Sequence, residues 1–341
     1  MLVVSILFAA CAPSDDANAE AAGSAAGPRD GGPGNTGDIV TPNPPARSPA
    51  AEALEAYEGG TVLTATIASA YADGRVGYHL WLPHDYASLA GRIPILVMLH
   101  GLGPGLDSDH WLNLGLAERL SVGVAEGRYP PMGIVLPEGN SVDYIKDAAP
   151  IPQIIVEEIV PHLEAALPVG GSPELRAIGG LSRGGYWAVA TALLYPRVFS
   201  RVGSHSGYFY PNTEAPHLNP SVLLTEAEGL VETEFYFDVA EDDPTAWRTF
   251  DFVEALQARI GAAAGEAAAP GAGGYDASAD AAAARGAAAD PESEPAPGAG
   301  PDAAAGTGVI FEPALTGGHS DEYWARRIPD YLQFYSEAWS R

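Results

Sequence analysis

The chain has 341 residues, of which 47% are hydrophobic, and its formal charge is −27. This length and composition are enough for one large hydrophobic core. The excess of acidic side chains disfavours binding to nucleic acid or to an anionic membrane surface, because like charges repel.

The N-terminal residues 1–11, MLVVSILFAAC, resemble a bacterial lipoprotein signal, in which the cysteine becomes the lipidated N-terminus after cleavage. The apolar run is too short to span a bilayer. Cys11 is the only cysteine, and residues 12–52 form an Ala/Gly/Pro-rich stretch that is typical of a disordered linker. We therefore expect an exported protein. Either a lipid on Cys11 would anchor it at the periplasmic or cell-surface side, as its one contact with the membrane, or it would be secreted.

From residue 61 onward, short apolar strand patterns alternate with longer helical patterns. The predicted strands are TVLTATIAS and GYHLWLP as an antiparallel opening pair, then IPILVMLHG, MGIVLPEG, LRAIGGLS, RVGSHSG, EFYFDVAEDD and GVIFEPALTGG. The predicted helices cover residues 111–123, 152–167, 184–194, 247–260 and 321–339.

The later strands are apolar throughout, as parallel strands covered on both faces are. This pattern predicts an α/β fold with a mostly parallel, doubly wound sheet and helices on both faces. The domain would occupy residues 53–341. The Ala-rich, acidic residues 261–307 are predicted to be a disordered insert before the last strand.

One serine lies where a predicted strand turns into a predicted helix, in Gly-Leu-Ser-Arg-Gly. Hydrolases place a nucleophile on such a tight turn, and residues two positions away must be small to let the backbone segments cross. Gly180 and Gly184 meet that need around Ser182. In a chain with 40 glycines the pentapeptide alone is a weak signal, so the remaining groups decide.

A serine nucleophile needs a base and an acid that orients the base. His319 follows the last predicted strand after two glycines, where a loop can bend back toward Ser182, and it is better placed than the other histidines. The acid should leave the preceding strand. Asp242 and Asp243 both end that strand, and the spacing leaves the choice between them open.

Backbone N–H groups that stabilise a developing oxyanion are expected at Arg183 and at Leu102 or Gly101. The aromatic residues after the strand ends are candidates for a substrate pocket: Trp111, Tyr208, Phe209, Tyr323 and Trp324. The motif Asp-Ser-Asp-His at 107–110 has no distant partner for a metal site. We therefore predict no metal and no cofactor.

The motifs YHLWLPHDY, IPILVMLHG, GIVLPEG, GGLSRGGYWAVATALLYPRVFSRVGSHSG, FYFDVAEDDP and GGHSDEYWARRIPDYLQFY occur in this order. From about residue 77 the chain thereby resembles the bacterial putative esterase family of α/β-hydrolases. This family includes feruloyl and acetylxylan esterases, enterochelin-type siderophore esterases, S-formylglutathione hydrolases and mycolyltransferases. The resemblance implies Ser182 as nucleophile and His319 as base. The family's Asp-x-Gly-x-x-Asp pattern points to Asp243 as the acid, although Ala240 replaces the glycine.

The resemblance implies a serine carboxylic-ester hydrolase that works through an acyl-enzyme, and the lipoprotein-like N-terminal segment implies that it is exported. An export signal favours an ester met outside the cytoplasm, either a small molecule or one attached to a polysaccharide. Candidates are an acylated polysaccharide, an aryl ester or a siderophore-type ester. The alternatives are a non-catalytic binding protein on the same fold, which would not need all three groups, and a serine peptidase.

Overall fold

The computed structural model describes residues 53–57, 59–72, 74–103, 107–138, 151–213, 215–268 and 308–339. The predictions for residues 1–52, including Cys11, and for most of the insert lie outside the described residues. Nine strands occur in the described ranges: β1 (Ala53–Tyr57), β2 (Gly60–Ala68), β3 (Arg75–Pro83), β4 (Ile95–Leu99), β5 (Gly133–Pro137), β6 (Arg176–Leu181), β7 (Arg201–His205), β8 (Glu234–Ala240) and β9 (Val309–Ala314).

These strands form one sheet in the order β1-β2-β3-β5-β4-β6-β7-β8-β9. The first three strands and the β3–β5 pair are antiparallel, and every later pair is parallel. The opening antiparallel pair was predicted. Strand β1 was not, because its sequence ALEAY contains few strand-forming residues.

The helices in the described ranges are α1 (His110–Asn113), α2 (Leu116–Ala125), α3 (Ile151–Gln153), α4 (Val160–Ala166), α5 (Arg183–Leu194), α6 (Pro220–Glu226), α7 (Ala246–Ala268) and α8 (Asp321–Ser336). No helix in the part of the chain described here is both long and apolar enough to cross a membrane.

Several helix boundaries differ from the prediction, each for a local reason. The helix expected over 111–123 is divided into α1 and α2 at Gly115, whose φ of 85° is left-handed. The helix expected over 152–167 contains a π-helical segment, Ile154–Ile159, just before Pro161, which has no N–H to donate. Helix α7 continues past residue 260, because alanine favours helix strongly. Helix α6 was not predicted.

Helices cover both faces of the sheet, as the sequence predicted. On β4, Ile95 and Val97 belong to a core cluster with residues of α5 and α7. Leu96 and Met98, which point to the opposite face, pack with residues of α2 and α8. Because β4 and β6 to β9 are parallel, their carboxyl ends meet at one edge, where the site lies.

Candidate active site

Ser182 lies on a strained turn between β6 and α5. Its backbone angles are φ 53° and ψ −119°, a combination that costs a non-glycine residue about 1–3 kcal/mol. The backbone around it holds this turn in place. The Ser182 N–H donates to the carbonyl of His205 at 2.9 Å, and the Ser182 carbonyl accepts from the N–H of Tyr208 at 2.9 Å. The surrounding fold thus fixes the serine in a conformation that presents its side chain at the edge of the sheet.

The two glycines that flank Ser182 are required by close backbone contacts. A Cβ on Gly180 would lie 2.4 Å from the carbonyl carbon of Gly184. A Cβ on Gly184 would lie 2.3 Å from the carbonyl oxygen of Leu99, at the end of β4. Both obstacles are backbone atoms, which cannot rotate away. The glycine spacing is therefore needed because β4, β6 and α5 meet at this turn.

His319 lies between Ser182 and Asp243. Its Nε2 is 2.8 Å from Ser182 Oγ, and its Nδ1 is 2.7 Å from Asp243 Oδ2. Gly317 and Gly318, with φ of 149° and 57°, turn the chain between β9 and α8 and bring the ring back to the serine. With Nδ1 protonated, the ring donates to the carboxylate, and Nε2 can accept the serine proton.

The adjacent aspartates differ in what they bind. Asp243 is buried, and its Oδ1 accepts from the backbone N–H and the hydroxyl of Thr245, both at 2.7 Å. Burial alone would raise the pKa of Asp243, but the hydrogen bonds from His319 and Thr245 outweigh it and lower the pKa below its ordinary value. Asp242 is exposed, and its Oδ1 accepts from the N–H of Gly318 at 2.7 Å. Asp243 therefore contacts the histidine, and Asp242 contacts the loop that carries it.

The backbone groups expected at the oxyanion position lie at the same edge. Arg183 is the first residue of α5, so its N–H has no partner within the helix. Leu102 and Gly101 follow β4, whose end packs against the start of α5. Burial lowers the pKa of His100, and a hydrogen bond of 2.6 Å joins its Nδ1 to the Gly101 carbonyl. A neutral His100 that donates from Nδ1 would hold this turn in place.

The predicted pocket residues occupy different environments. Trp111 does not line a pocket, because it is fully buried and its Nε1 donates to the Leu99 carbonyl at 3.0 Å. Phe209 and Tyr323 are buried in the core as well. Trp324 is also buried, but its ring lies edge-on to the His319 ring, with the centroids 5.0 Å apart. Tyr208 is exposed beside Ser182.

A buried polar network behind the site was not predicted. Asp238, on β8, is fully buried. Its carboxylate is 2.7 Å from Nδ1 of His205 and accepts from the hydroxyls of Tyr323 at 2.8 Å and Tyr331 at 2.9 Å. The hydroxyl oxygen of Tyr335 is 3.0 Å from Nε2 of His205. Burial lowers the pKa of His205, even though Asp238 opposes that shift.

This network ties α8, which begins two residues after His319, to β7 and β8. The backbone carbonyl of His205 on β7 accepts from the Ser182 N–H, and β8 leads to Asp243. The sequence contains a signal for it. His205 and Asp238 are directly opposed in the β7–β8 register, and polar residues inside two apolar parallel strands need partners.

Comparison with known proteins gives three findings. A family model described as putative esterase matches residues 69–335. A Mycobacterium tuberculosis protein described as an esterase is 27% identical over 140 residues, which are 38% of this chain and 29% of that relative. The match thus spans less than a third of the relative's length.

The third finding concerns solved structures. A ferulic acid esterase has a TM-score of 0.61 at 18% identity, covering 83% of this chain and 100% of that one. An S-formylglutathione hydrolase from Agrobacterium tumefaciens has a TM-score of 0.57 at 14% identity, covering 84% and 99%. At such identities the likeness shows the fold, and it confirms the predicted α/β-hydrolase fold.

Proposed function

The chain belongs to the putative esterase family, as its motifs predicted, and from this premise we propose that it hydrolyses carboxylic esters with Ser182 as the nucleophile. The observation that carries the proposal is the continuous path of hydrogen bonds from Ser182 Oγ through His319 to Asp243, at 2.8 and 2.7 Å. The meeting of these three groups from three separate loops, in the order nucleophile, base and acid, supports a role for Ser182 as a nucleophile.

In the acylation step, His319 Nε2 takes the proton of Ser182 as Oγ attacks the ester carbonyl carbon. The carbonyl π bond opens to an oxyanion. When the oxyanion collapses, the bond to the alcohol oxygen breaks, and His319 gives its proton to the leaving alcohol. A water molecule then attacks the acyl-enzyme as His319 takes one of its protons. The bond from Ser182 Oγ to the acyl carbon breaks, His319 gives its proton to Oγ, and the acid is released. Asp243 keeps the imidazole oriented and stabilises its charged form.

The oxyanion would be stabilised by the N–H groups of Arg183 and Leu102, with Gly101 as the alternative to Leu102. Removing one such donor in hydrolases costs about 10²–10³ in kcat, so this position supplies a large part of the rate. The position of Ser182 supports this assignment, because it directly precedes α5, whose first N–H groups have no partner within the helix.

The substrate we propose is an ester met outside the cytoplasm: an acylated polysaccharide, an aryl ester or a siderophore-type ester. The support is the lipoprotein-like sequence of residues 1–11 and the exposed aromatic side chain of Tyr208 beside the nucleophile. The export proposal predicts that Cys11→Ser moves the protein from the membrane fraction to the soluble fraction. A wild-type protein found in the cytosol would contradict it.

The test of the nucleophile is hydrolysis of 4-nitrophenyl acetate, butyrate and longer esters by wild type and Ser182→Ala. We expect kcat/KM to fall at least about a thousandfold. A matched control is Ser204→Ala. Ser204 is also a buried serine, on the neighbouring strand β7, and its hydroxyl has no hydrogen-bond partner among the described residues. Its loss should leave the rate near that of wild type.

Covalent labelling separates an enzyme from a binding protein. Diisopropyl fluorophosphate should add one diisopropylphosphoryl group to the peptide that contains Ser182, with loss of fluoride, and mass spectrometry would locate it. A folded wild-type protein that neither reacts with this reagent nor hydrolyses any of the esters would refute the proposal and favour the binding protein.

A further inference from the structure

Two arginines near the nucleophile, Arg183 and Arg248, form no ion pair with a carboxylate in the part of the chain that the structure describes. Arg176, Arg201 and Arg327 each form an ion pair with a glutamate or an aspartate. Arg183 and Arg248 form none within the described residues, and the Nε of each is buried with no hydrogen-bond partner there. Among the described residues, the two positive charges thus have no counter-ion, although the net charge of the chain is −27.

Both guanidinium groups contact aromatic rings instead. Arg183 is only 5% exposed; its Cζ lies 3.9 Å from the ring centroid of Tyr186, and its Nη1 donates to the Tyr210 carbonyl at 3.3 Å. The Cζ of Arg248 lies 4.3 Å from the ring centroids of both Tyr210 and Trp247. A cation held on aromatic faces keeps its charge available to an anion, whereas one held by a carboxylate does not.

The ring of Tyr186, on which Arg183 lies, is buried, but other rings near the two arginines reach solvent. Tyr208 is 37% exposed and Trp247 is 43% exposed. Tyr208 and Tyr210 stack with centroids 4.6 Å apart, and Tyr210 contacts Trp247 edge-on at 6.2 Å. We call the five residues Arg183, Tyr208, Tyr210, Trp247 and Arg248 the aromatic–arginine patch. Its exposed rings offer faces and edges on which a planar group can stack.

The aromatic–arginine patch adjoins the reacting serine. Arg183 follows Ser182 in sequence, and the N–H of Tyr208 donates to the Ser182 carbonyl. On the other side, the first turn of α7 carries Trp247 and Arg248 a few residues after Asp243. The hydroxyl of Thr249 binds the Gly207 carbonyl at 3.2 Å and holds this turn against the Tyr208 segment. A substrate group on the patch would therefore lie next to the scissile ester.

A guanidinium that is held out of water without a counter-ion is unfavourable, and a bound anion would offset part of that cost. Burial accordingly lowers the pKa of Arg183. The overall acidic surface repels anions at long range, so an attraction for anions must come from local charges, which lie well within a Debye length of the serine.

We propose that the aromatic–arginine patch is a subsite for an aryl group that carries a carboxylate, adjacent to the ester that Ser182 attacks. The inference rests on the proposed ester hydrolysis and narrows its substrate class. The rings would stack on the aryl group, and the guanidinium groups of Arg183 and Arg248 would bind the carboxylate.

The test compares esters that differ only in charge. One pair, 4-acetoxybenzoate and 4-acetoxybenzamide, carries the charge on the alcohol side. The other pair carries the charge on the acyl side: the mono-4-nitrophenyl ester of terephthalic acid and the 4-nitrophenyl ester of 4-carbamoylbenzoic acid. In at least one pair we expect kcat/KM to be at least about tenfold higher for the carboxylate, a preference that shrinks as salt is added.

In Arg248→Gln the ratio of the two kcat/KM values should fall toward unity through a rise in KM for the carboxylate. The matched control is Arg119→Gln, an exposed arginine on α2, which should keep the wild-type ratio.

Two outcomes would overturn the inference. If the amide is hydrolysed as fast as the carboxylate or faster in both pairs, while 4-nitrophenyl acetate is turned over, the subsite is refuted and the ester hydrolase stands. The same holds if Arg248→Gln and Arg119→Gln show the same ratio. If 4-nitrophenyl acetate is not hydrolysed either, the proposed function itself has failed, and the inference fails with it.

Discussion

Asp243 and His319 are joined by a hydrogen bond of 2.7 Å although 76 positions separate them in the sequence. Asp242, the neighbour of Asp243, binds the N–H of Gly318, the neighbour of His319, at 2.7 Å. Two adjacent acids thus hold two adjacent residues of one loop, but only one of them contacts the ring that faces Ser182.

Replacing these two acids separately distinguishes their roles. Asp243→Asn should lower kcat by about 10⁴, because an amide can no longer favour the tautomer with Nδ1 protonated or stabilise the charged ring. Asp242→Asn should change kcat by less than about fivefold, since its amide oxygen can still accept from Gly318 and a loss near 1 kcal/mol corresponds to that factor. Steady-state kinetics on 4-nitrophenyl acetate measures both. Equal losses in the two variants would show that the histidine does not depend on Asp243 alone.

The lowered pKa of Asp243 has a consequence for stability against acid. A carboxyl whose folded pKa lies below its ordinary value of 3.8 contributes stability that is fully present above that value and is lost as the pH falls through the folded pKa. The free energy of unfolding of wild type should therefore exceed that of Asp243→Asn at pH 6, and the difference should shrink below about pH 3.8. Urea unfolding at a series of pH values measures it. A difference that stays constant or grows toward low pH would contradict the assignment.

The glycine beside the nucleophile can be tested against a glycine in open surroundings. Gly184→Ala should destabilise the fold by about 3 kcal/mol or more, because the new Cβ would overlap the Leu99 carbonyl oxygen, which is fixed in β4. Gly265→Ala should instead stabilise it by up to about 1 kcal/mol, since Gly265 is an exposed residue of α7 with free space around it. Urea unfolding curves report both changes. An unfolding midpoint for Gly184→Ala equal to that of wild type would disprove the close contact.

The buried network behind the site predicts a large effect from one isosteric change. Asp238→Asn should cost about 3–5 kcal/mol of unfolding free energy, because it removes the carboxylate that His205, Tyr323 and Tyr331 share and the charge that Arg327 faces.

Glu312→Gln is the control for Asp238→Asn. Glu312 also pairs with Arg327, but its side chain is about half exposed, so its loss should cost less than about 1 kcal/mol. Thermal or urea unfolding compares the two variants. Equal, small effects would show that Asp238 does not hold α8 in place.

The sequence alone determined the features that depend on residues close together in the chain or on the order of the strands. The turn at Ser182 was predicted because its determinants, two glycines and a strand-to-helix change, lie within a few residues. The parallel sheet was predicted because apolar strands alternated with helical patterns. His319 could be selected because strand ends share one edge of such a sheet, which made its position after the last strand informative.

Only the tertiary structure decided which neighbouring side chain contacts which. Asp242 and Asp243 are chemically identical, and the turn after β8 alone sets which of them faces the imidazole. Trp111 has the same sequence context as a pocket residue, yet α1 places it in the core. Arg183 contacts aromatic rings and, within the described ranges, no carboxylate, which is a property of α5 and the Tyr208 segment together. These outcomes depend on directions of side chains across packed elements, which composition and spacing do not encode.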